Sequence, residues 1–124
     1  MIYLDTHIVV WLYAGLTEKF SQPVRALLNE HDLYISPIVR LELQYLYEIQ
    51  RLTVEADVIV ADLASRIGLT VCDKNFNTIV SQALNCSWTC DPFDRIIVAQ
   101  ANLNDDILIS KDQTILEHYP HARW

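Results

Sequence analysis

Apolar residues occur along this chain in short blocks that alternate with helical stripes. Between the blocks, apolar positions recur three and four residues apart, which predicts amphipathic helices. The blocks are rich in β-branched and aromatic residues and are predicted to be short buried strands: residues 2–5, 32–36, 69–72 and 107–110. Strands that alternate with helices indicate a three-layer α/β fold, with a central, mainly parallel sheet flanked by helices on both faces.

The predicted helices have recognisable starts and stops. Gly15 and Gly68 are placed to end two of them, and proline stands at the start of three others. Asp91 is placed to cap the helix that Pro92 begins. The predicted ranges are 6–15, 22–31, 37–52, 54–67, 75–84 and 92–103, with a last helix capped by Asp112.

Length and composition favour one packed domain over residues 1–124, because 52% of the residues are hydrophobic and only 2 are glycine. No apolar run is long enough to span a bilayer, and the start lacks a basic signal region, so we expect a cytoplasmic protein without membrane contact. Three cysteines make a disulfide framework unexpected. A zinc site is disfavoured because its candidate ligands are poorly spaced: Cys86, Cys90, His118 and His121.

The net charge of −7 argues against a protein that holds nucleic acid through a broad basic surface. That argument weakens if several of the 16 acids surround a bound cation, because a divalent ion reverses the local field and can bridge to phosphate.

Four acids follow predicted strands or lie near predicted helix starts: Asp5, Glu42, Asp94 and Asp112. In parallel sheets ligands bind outside the carboxyl ends of the strands, so these side chains are predicted to share one crevice. Clustered carboxylates repel one another unless a cation neutralises them. Mg2+ or Mn2+ suits such an oxygen site. Taken alone, Asp94 and Asp112 are also explained as acids that stabilise a helix start, and Glu42 as a solvated acid on the polar face of its helix.

Other chemistries have weaker support. The only glycines are Gly15 and Gly68, which excludes a phosphate-binding glycine loop. An aspartyl-phosphate phosphatase with Asp5 as nucleophile is an alternative, but His7 stands where a second acid is expected. His7 itself is expected to be structural.

Four motifs in order along the chain carry a resemblance to a known family. They are Leu4-Asp5-Thr6, SPIVRLEL at 36–43, DPFDRIIVAQA at 91–101 and LISKD at 108–112. Together they resemble the PIN-domain family, in particular the VapC-type toxins of bacterial toxin–antitoxin pairs. The resemblance implies a metal-dependent endoribonuclease, commonly a homodimer and often silenced by an antitoxin protein.

The same resemblance assigns roles to residues. The family's four acids fall on Asp5, Glu42, Asp94 and Asp112. Thr6 and Ser110 match hydroxyl groups that order the acids, and Asp91 matches a supporting acid.

Contacts with RNA and with proteins are predicted from the residues themselves. The basic residues beside the motif acids are candidates for RNA phosphate contacts: Arg40, Arg95 and Lys111. Trp11 and Tyr13 are candidates for a surface that binds a second copy or an antitoxin. Two alternatives stay open: an RNA-processing nuclease without an antitoxin, and a catalytically silent domain that only binds RNA or protein.

Overall fold

The structure is a computed structural model that describes residues 1–124. Strands and helices alternate along most of the chain. The strands are β1 (Ile2–Leu4), β2 (Leu33–Ile35), β3 (Thr70–Val71), β4 (Ile107–Ile109) and β5 (Ala122–Arg123). The helices are α1 (Thr6–Ala14), α2 (Gln22–Glu30), α3 (Pro37–Glu48), α4 (Ala56–Ile67), α5 (Phe76–Ala83), α6 (Pro92–Asn102) and α7 (Gln113–His118). A 3-10 turn covers Thr17–Lys19.

The five strands form one sheet in the order β3-β2-β1-β4-β5, and every neighbouring pair is parallel. In register, β1 pairs with β4 from Ile2 opposite Ile107 to Leu4 opposite Ile109. The order of strands runs in opposite directions on the two sides of β1, so the crevice beyond the carboxyl ends of β1 and β4 is the topological switch point. The predicted α/β fold with a central sheet is confirmed.

The core lies between this sheet and the helices. All three residues of β1 are buried, as are Leu108 and Ile109 of β4, so the two strands that lead to the switch point are held on both faces. Gly15 and Gly68 end α1 and α4 with φ angles of 72° and 70°, as predicted for left-handed helix caps. None of the helices has the length and hydropathy to span a membrane.

Two regions differ from the prediction. The fifth strand was not predicted, because its two residues form an edge pair with β4 and show no alternating pattern. The α3 helix ends at Glu48 rather than at residue 52, since Gln50 adopts a left-handed φ of 66°. The chain then turns back, and the N–H of Arg51 donates to the Leu46 carbonyl at 2.8 Å.

Candidate functional site

A cleft of about 380 Å³ opens at the carboxyl ends of β1 and β4. It is lined by the four acids that the sequence singled out, by further polar groups and by apolar residues of α1 and α3. The acids are Asp5, Glu42, Asp94 and Asp112, and Asp91 is a fifth. The structure therefore brings together residues that are up to 107 positions apart in the chain.

Asp5 is the most buried of these acids, with 4% of its surface exposed. It directly follows β1, and its Oδ1 accepts the N–H of Thr6 at 2.8 Å, so it caps α1. Its Oδ2 accepts a hydrogen bond from the Ser110 hydroxyl at 2.7 Å. The Ser110 Oγ in turn accepts the N–H of Asp112 at 3.0 Å, which ties two of the acids to one hydroxyl.

Glu42 reaches the cleft from the second turn of α3 and is half-buried. The Thr6 hydroxyl donates a hydrogen bond to its Oε1. Burial raises the pKa of Glu42, and the charges of Asp5 and Asp91 raise it further, while the hydrogen bond from Thr6 acts in the opposite direction. Thr6 thus holds Glu42 beside Asp5.

Asp94 is the acid with the least support from its surroundings. Its carboxylate takes part in no hydrogen bond and no ion pair, although it lies half-buried in the first turn of α6. Burial raises its pKa to about 7, and the charges of Asp5, Asp91, Asp112 and Glu42 all add to the increase. A carboxyl group with this pKa exchanges a proton for a metal cation readily at neutral pH.

Two more of these acids, Asp91 and Asp112, cap helices and still line the cleft. Asp91 Oδ1 accepts the N–H groups of Phe93 and Asp94 at 2.8 and 3.2 Å, and Asp112 Oδ1 accepts the N–H of Ile115 at 3.0 Å. Asp94 does not complete a capping box, because the Asp91 N–H donates to the Thr89 hydroxyl instead. Capping therefore leaves the Asp94 carboxylate free for another ligand.

The donors present fit a hard divalent cation held partly by water. Each hydrogen-bonded oxygen of Asp5, Glu42 and Asp112 keeps a free lone pair, and Asp94 keeps both oxygens free. No group of three or more His, Cys, Asp or Glu side chains is placed to hold a metal ion by itself. Mg2+ typically binds one or two carboxylates and retains several waters, so such an open arrangement suits it.

His7 connects the two sides of the cleft. Its Nε2 accepts the backbone N–H of Lys111 at 3.0 Å, so the proton of the neutral ring is on Nδ1, which lies 3.6 Å from Asp5 Oδ2. Its ring meets Trp11 edge-on at 5.1 Å. The expected structural role of His7 is therefore combined with a position in the cleft lining.

The basic candidates are placed differently from one another. Arg40 forms an exposed ion pair with Asp57 at 3.0 Å and lines a separate cavity. Arg95 donates its Nε–H to the Thr89 carbonyl at 2.7 Å and does not line the cleft. The ammonium of Lys111 lies over the ring of Trp11, 5.9 Å from its centroid.

Five residues that line the cleft were not predicted to do so: Val10, Trp11, Leu46, Arg51 and Leu52. Arg51 lines the cleft because the left-handed Gln50 turns the chain back after α3. The sequence gives no local signal for this turn, since an L-residue with positive φ is uncommon. Trp11, considered as a partner surface, also lines the cleft, while Tyr13 is half-buried against the core.

Comparison with known proteins agrees with this architecture. A family model described as PIN domain matches residues 2–121. No curated protein sequence matches the chain. Among solved structures, the chain resembles VapBC2 from Rickettsia felis bound to a DNA fragment from its promoter, with 18% identity and a TM-score of 0.70, covering 100% of this chain and 99% of that one.

Two further structures are similar. A toxin–antitoxin complex from Klebsiella pneumoniae matches with 16% identity and a TM-score of 0.68, covering 100% of this chain and 97% of that one. DNA-bound VapBC from Salmonella typhimurium matches with 19% identity and a TM-score of 0.62, covering 98% of this chain and 94% of that one. At these identities the likeness is one of fold.

Proposed function

The chain belongs to the PIN domain family, and from this we propose that it is a ribonuclease that hydrolyses RNA phosphodiester bonds with Mg2+ or Mn2+. The observation that carries the proposal is the cleft in which the Asp94 carboxylate stands without a hydrogen-bond donor among four other acids. Such a group is costly to keep unless a cation binds beside it.

The residues that would hold the metal are Asp5, Glu42, Asp94 and Asp112. A bound divalent ion supplies positive charge and lowers the pKa of a water, which favours in-line hydrolysis of a phosphodiester. The Ser110 and Thr6 hydroxyls keep the carboxylates of Asp5 and Glu42 in place. These hydrogen bonds preorganise the acids before the substrate arrives.

Arg51 gives the acidic cleft a positive side chain, and its guanidinium forms no ion pair with any carboxylate. In the same lining, Val10, Leu46 and Leu52 form an apolar wall. We assign to Arg51 the contact with a phosphate of the bound RNA, because a guanidinium donates several hydrogen bonds to phosphate oxygens. The acids would then act on the neighbouring phosphodiester.

The partner of this protein is proposed from its structural neighbours. The similar structures are named as VapBC and toxin–antitoxin complexes, which supports an antitoxin as the partner and a toxin of a type II pair as the biological role. A homodimer is part of the same proposal. The alternative is an RNA-processing PIN nuclease without an antitoxin. A short reading frame that overlaps the upstream end of this protein's gene would favour the toxin over that alternative.

Cleavage of RNA by the purified protein tests the proposed activity. We expect cleavage with Mg2+ or Mn2+, no cleavage in EDTA, and loss of most cleavage in Asp94→Asn. The control is Asp62→Asn, which removes an acid that pairs with Arg66 on α4, outside the cleft. If Asp94→Asn cleaves RNA as fast as wild type at matched metal concentration, Asp94 is not part of the site and the proposal fails.

A further inference from the structure

The basic residues of this chain divide sharply by whether their charged groups have partners. Three pair with carboxylates: Arg40, Arg66 and Lys74. Three donate to backbone carbonyls: Arg25, Arg95 and Arg123. The other three of the 9 have neither kind of partner: Lys19, Arg51 and Lys111.

These three side chains, which meet neither a carboxylate nor a backbone carbonyl, lie at the cleft or beside it. Arg51 lines the cleft, and the ammonium groups of Lys19 and Lys111 lie 5.3 and 5.9 Å from the ring centroid of Trp11, which also lines it. In a chain of net charge −7, carboxylates are abundant enough to pair with every basic group. Exposed cations left unpaired at one place are available for an anionic ligand.

The aromatic groups next to the cleft are continuous with one another. Trp11 meets Trp124 edge-on at a centroid distance of 5.7 Å, and both contact the buried ring of Phe20 at 6.1 Å. The ammonium of Lys111 also lies 5.6 Å from the Trp124 ring centroid. Phe20 fixes the two indoles from the core side, while both indoles remain partly exposed.

We propose that Lys19, Trp11, Lys111 and Trp124, the aromatic–lysine strip, bind one nucleotide of single-stranded RNA next to the phosphodiester in the acidic cleft. A base would stack on an indole, displacing an exposed ammonium that then contacts the adjoining phosphate. Proteins that bind single strands combine such aromatic rings with basic side chains, because every base has a face that stacks. A duplex hides its base faces and would not use the strip.

That the strip binds the substrate strand follows only if the protein has the proposed ribonuclease function. The competing occupant is a segment of an antitoxin. RNA is favoured for two reasons. The lysines lie over the aromatic rings, so an indole and an ammonium are close enough together to contact the base and the phosphate of one nucleotide. Trp11 also lines the acidic cleft, so the strip continues into it.

Tryptophan fluorescence in EDTA tests the strip without cleavage. In Trp88→Phe the remaining indoles are Trp11 and Trp124, since Trp88 stacks on His118 elsewhere. A single-stranded RNA oligonucleotide should quench this emission, and a duplex of the same sequence should not. In the same background, Lys19→Ala and Trp124→Leu should each weaken RNA binding, the latter about tenfold, as expected for one lost base stack. The control Arg66→Gln, which removes one charge on α4, should leave the affinity unchanged.

The outcomes separate the strip from the nuclease. Quenching by single-stranded RNA without cleavage in Mg2+ or Mn2+ would support the strip and contradict the proposed activity. Normal cleavage with unchanged RNA affinity in both Lys19→Ala and Trp124→Leu would overturn the strip alone. If single-stranded RNA does not quench the emission, the strip does not bind a nucleotide and the proposal is wrong.

Discussion

The hydroxyl of Ser110 donates a hydrogen bond of 2.7 Å to Oδ2 of Asp5, although the two residues are 105 positions apart. Both are buried, and the same hydroxyl oxygen accepts the N–H of Asp112. This one oxygen joins the carboxyl end of β1 to the start of α7. The Ser110 hydroxyl therefore adds a side-chain link between two proposed metal ligands to the backbone pairing of β1 with β4.

Ser110→Ala should destabilise the protein and weaken its binding of Mn2+. The substitution leaves a buried carboxylate oxygen and the Asp112 N–H each without a partner, which typically costs about 1 to 3 kcal/mol. Thermal unfolding and a Mn2+ titration would measure both effects. Ser81→Ala, which removes an exposed hydroxyl bonded to its own helix, should change stability by less than about 0.5 kcal/mol. Equal melting temperatures for the two variants would contradict the role given to Ser110.

In EDTA, the free energy of unfolding should fall as the pH rises from about 4 to about 7. Ionisation of Asp94 should have little further effect above that range. Its folded-state pKa is about 7 against an ordinary value of 3.8, so in this interval the folded protein binds more protons than the unfolded chain. The raised pKa of Glu42 acts with the same sign. Because Asp94 is partly exposed, we discount for solvent screening and expect about 1 to 2 kcal/mol. Urea unfolding at several pH values across this interval measures the change in stability. A wild-type stability that does not vary with pH there would contradict the inferred repulsion between the clustered acids.

Asp94→Asn should raise the melting temperature in EDTA and reduce the increase caused by Mn2+. The amide removes a poorly solvated charge, and it is a weaker ligand for a hard cation. For wild type, a metal at about 100 times its Kd adds about 2.7 kcal/mol, roughly ten degrees for a domain of this size. Calorimetry of both proteins with and without Mn2+ gives the melting temperature in EDTA and the increase caused by the metal. A wild-type curve indifferent to millimolar Mn2+ would mean that no cation binds here.

Arg51→Gln should weaken RNA binding more than it slows the chemical step. Removing one phosphate contact is expected to raise KM and to reduce the slope of log Kd against log salt by about 1, with kcat changed less. RNA binding and cleavage at several salt concentrations separate these quantities. Arg66→Gln removes the same charge from an ion pair with Asp62 and should leave the slope unchanged. If both variants behave alike, only net charge matters and Arg51 makes no specific contact.

The strands and the acids were predictable because their signals are local. A short apolar block that ends in an acid, as at Leu4-Asp5, needs no knowledge of the rest of the chain to indicate a buried strand and a group beyond its end. The convergence of Asp5 and Asp112 also followed from the geometry of parallel sheets, and the structure lines one cleft with both.

Other features depend on packing between distant segments and were not predictable. The turn at Gln50 that brings Arg51 to the cleft has no signature, and Trp124 meets Trp11 only in the folded chain. Sequence alone also predicted mutual repulsion for all the clustered acids alike. The structure instead satisfies Asp5 with hydrogen bonds from Thr6 and Ser110, and leaves Asp94 as the acid without support.

The pairing of β1 with β4 also determines when the acids can meet during protein synthesis. The ribosome makes Ser110 and Asp112 more than 100 residues after Asp5. Until that segment has left the exit tunnel, β1 has no β4 beside it and the carboxylates remain apart. A nascent chain therefore carries Asp5 and Glu42 without the cleft until the segment with Ser110 and Asp112 has been made and has folded against β1.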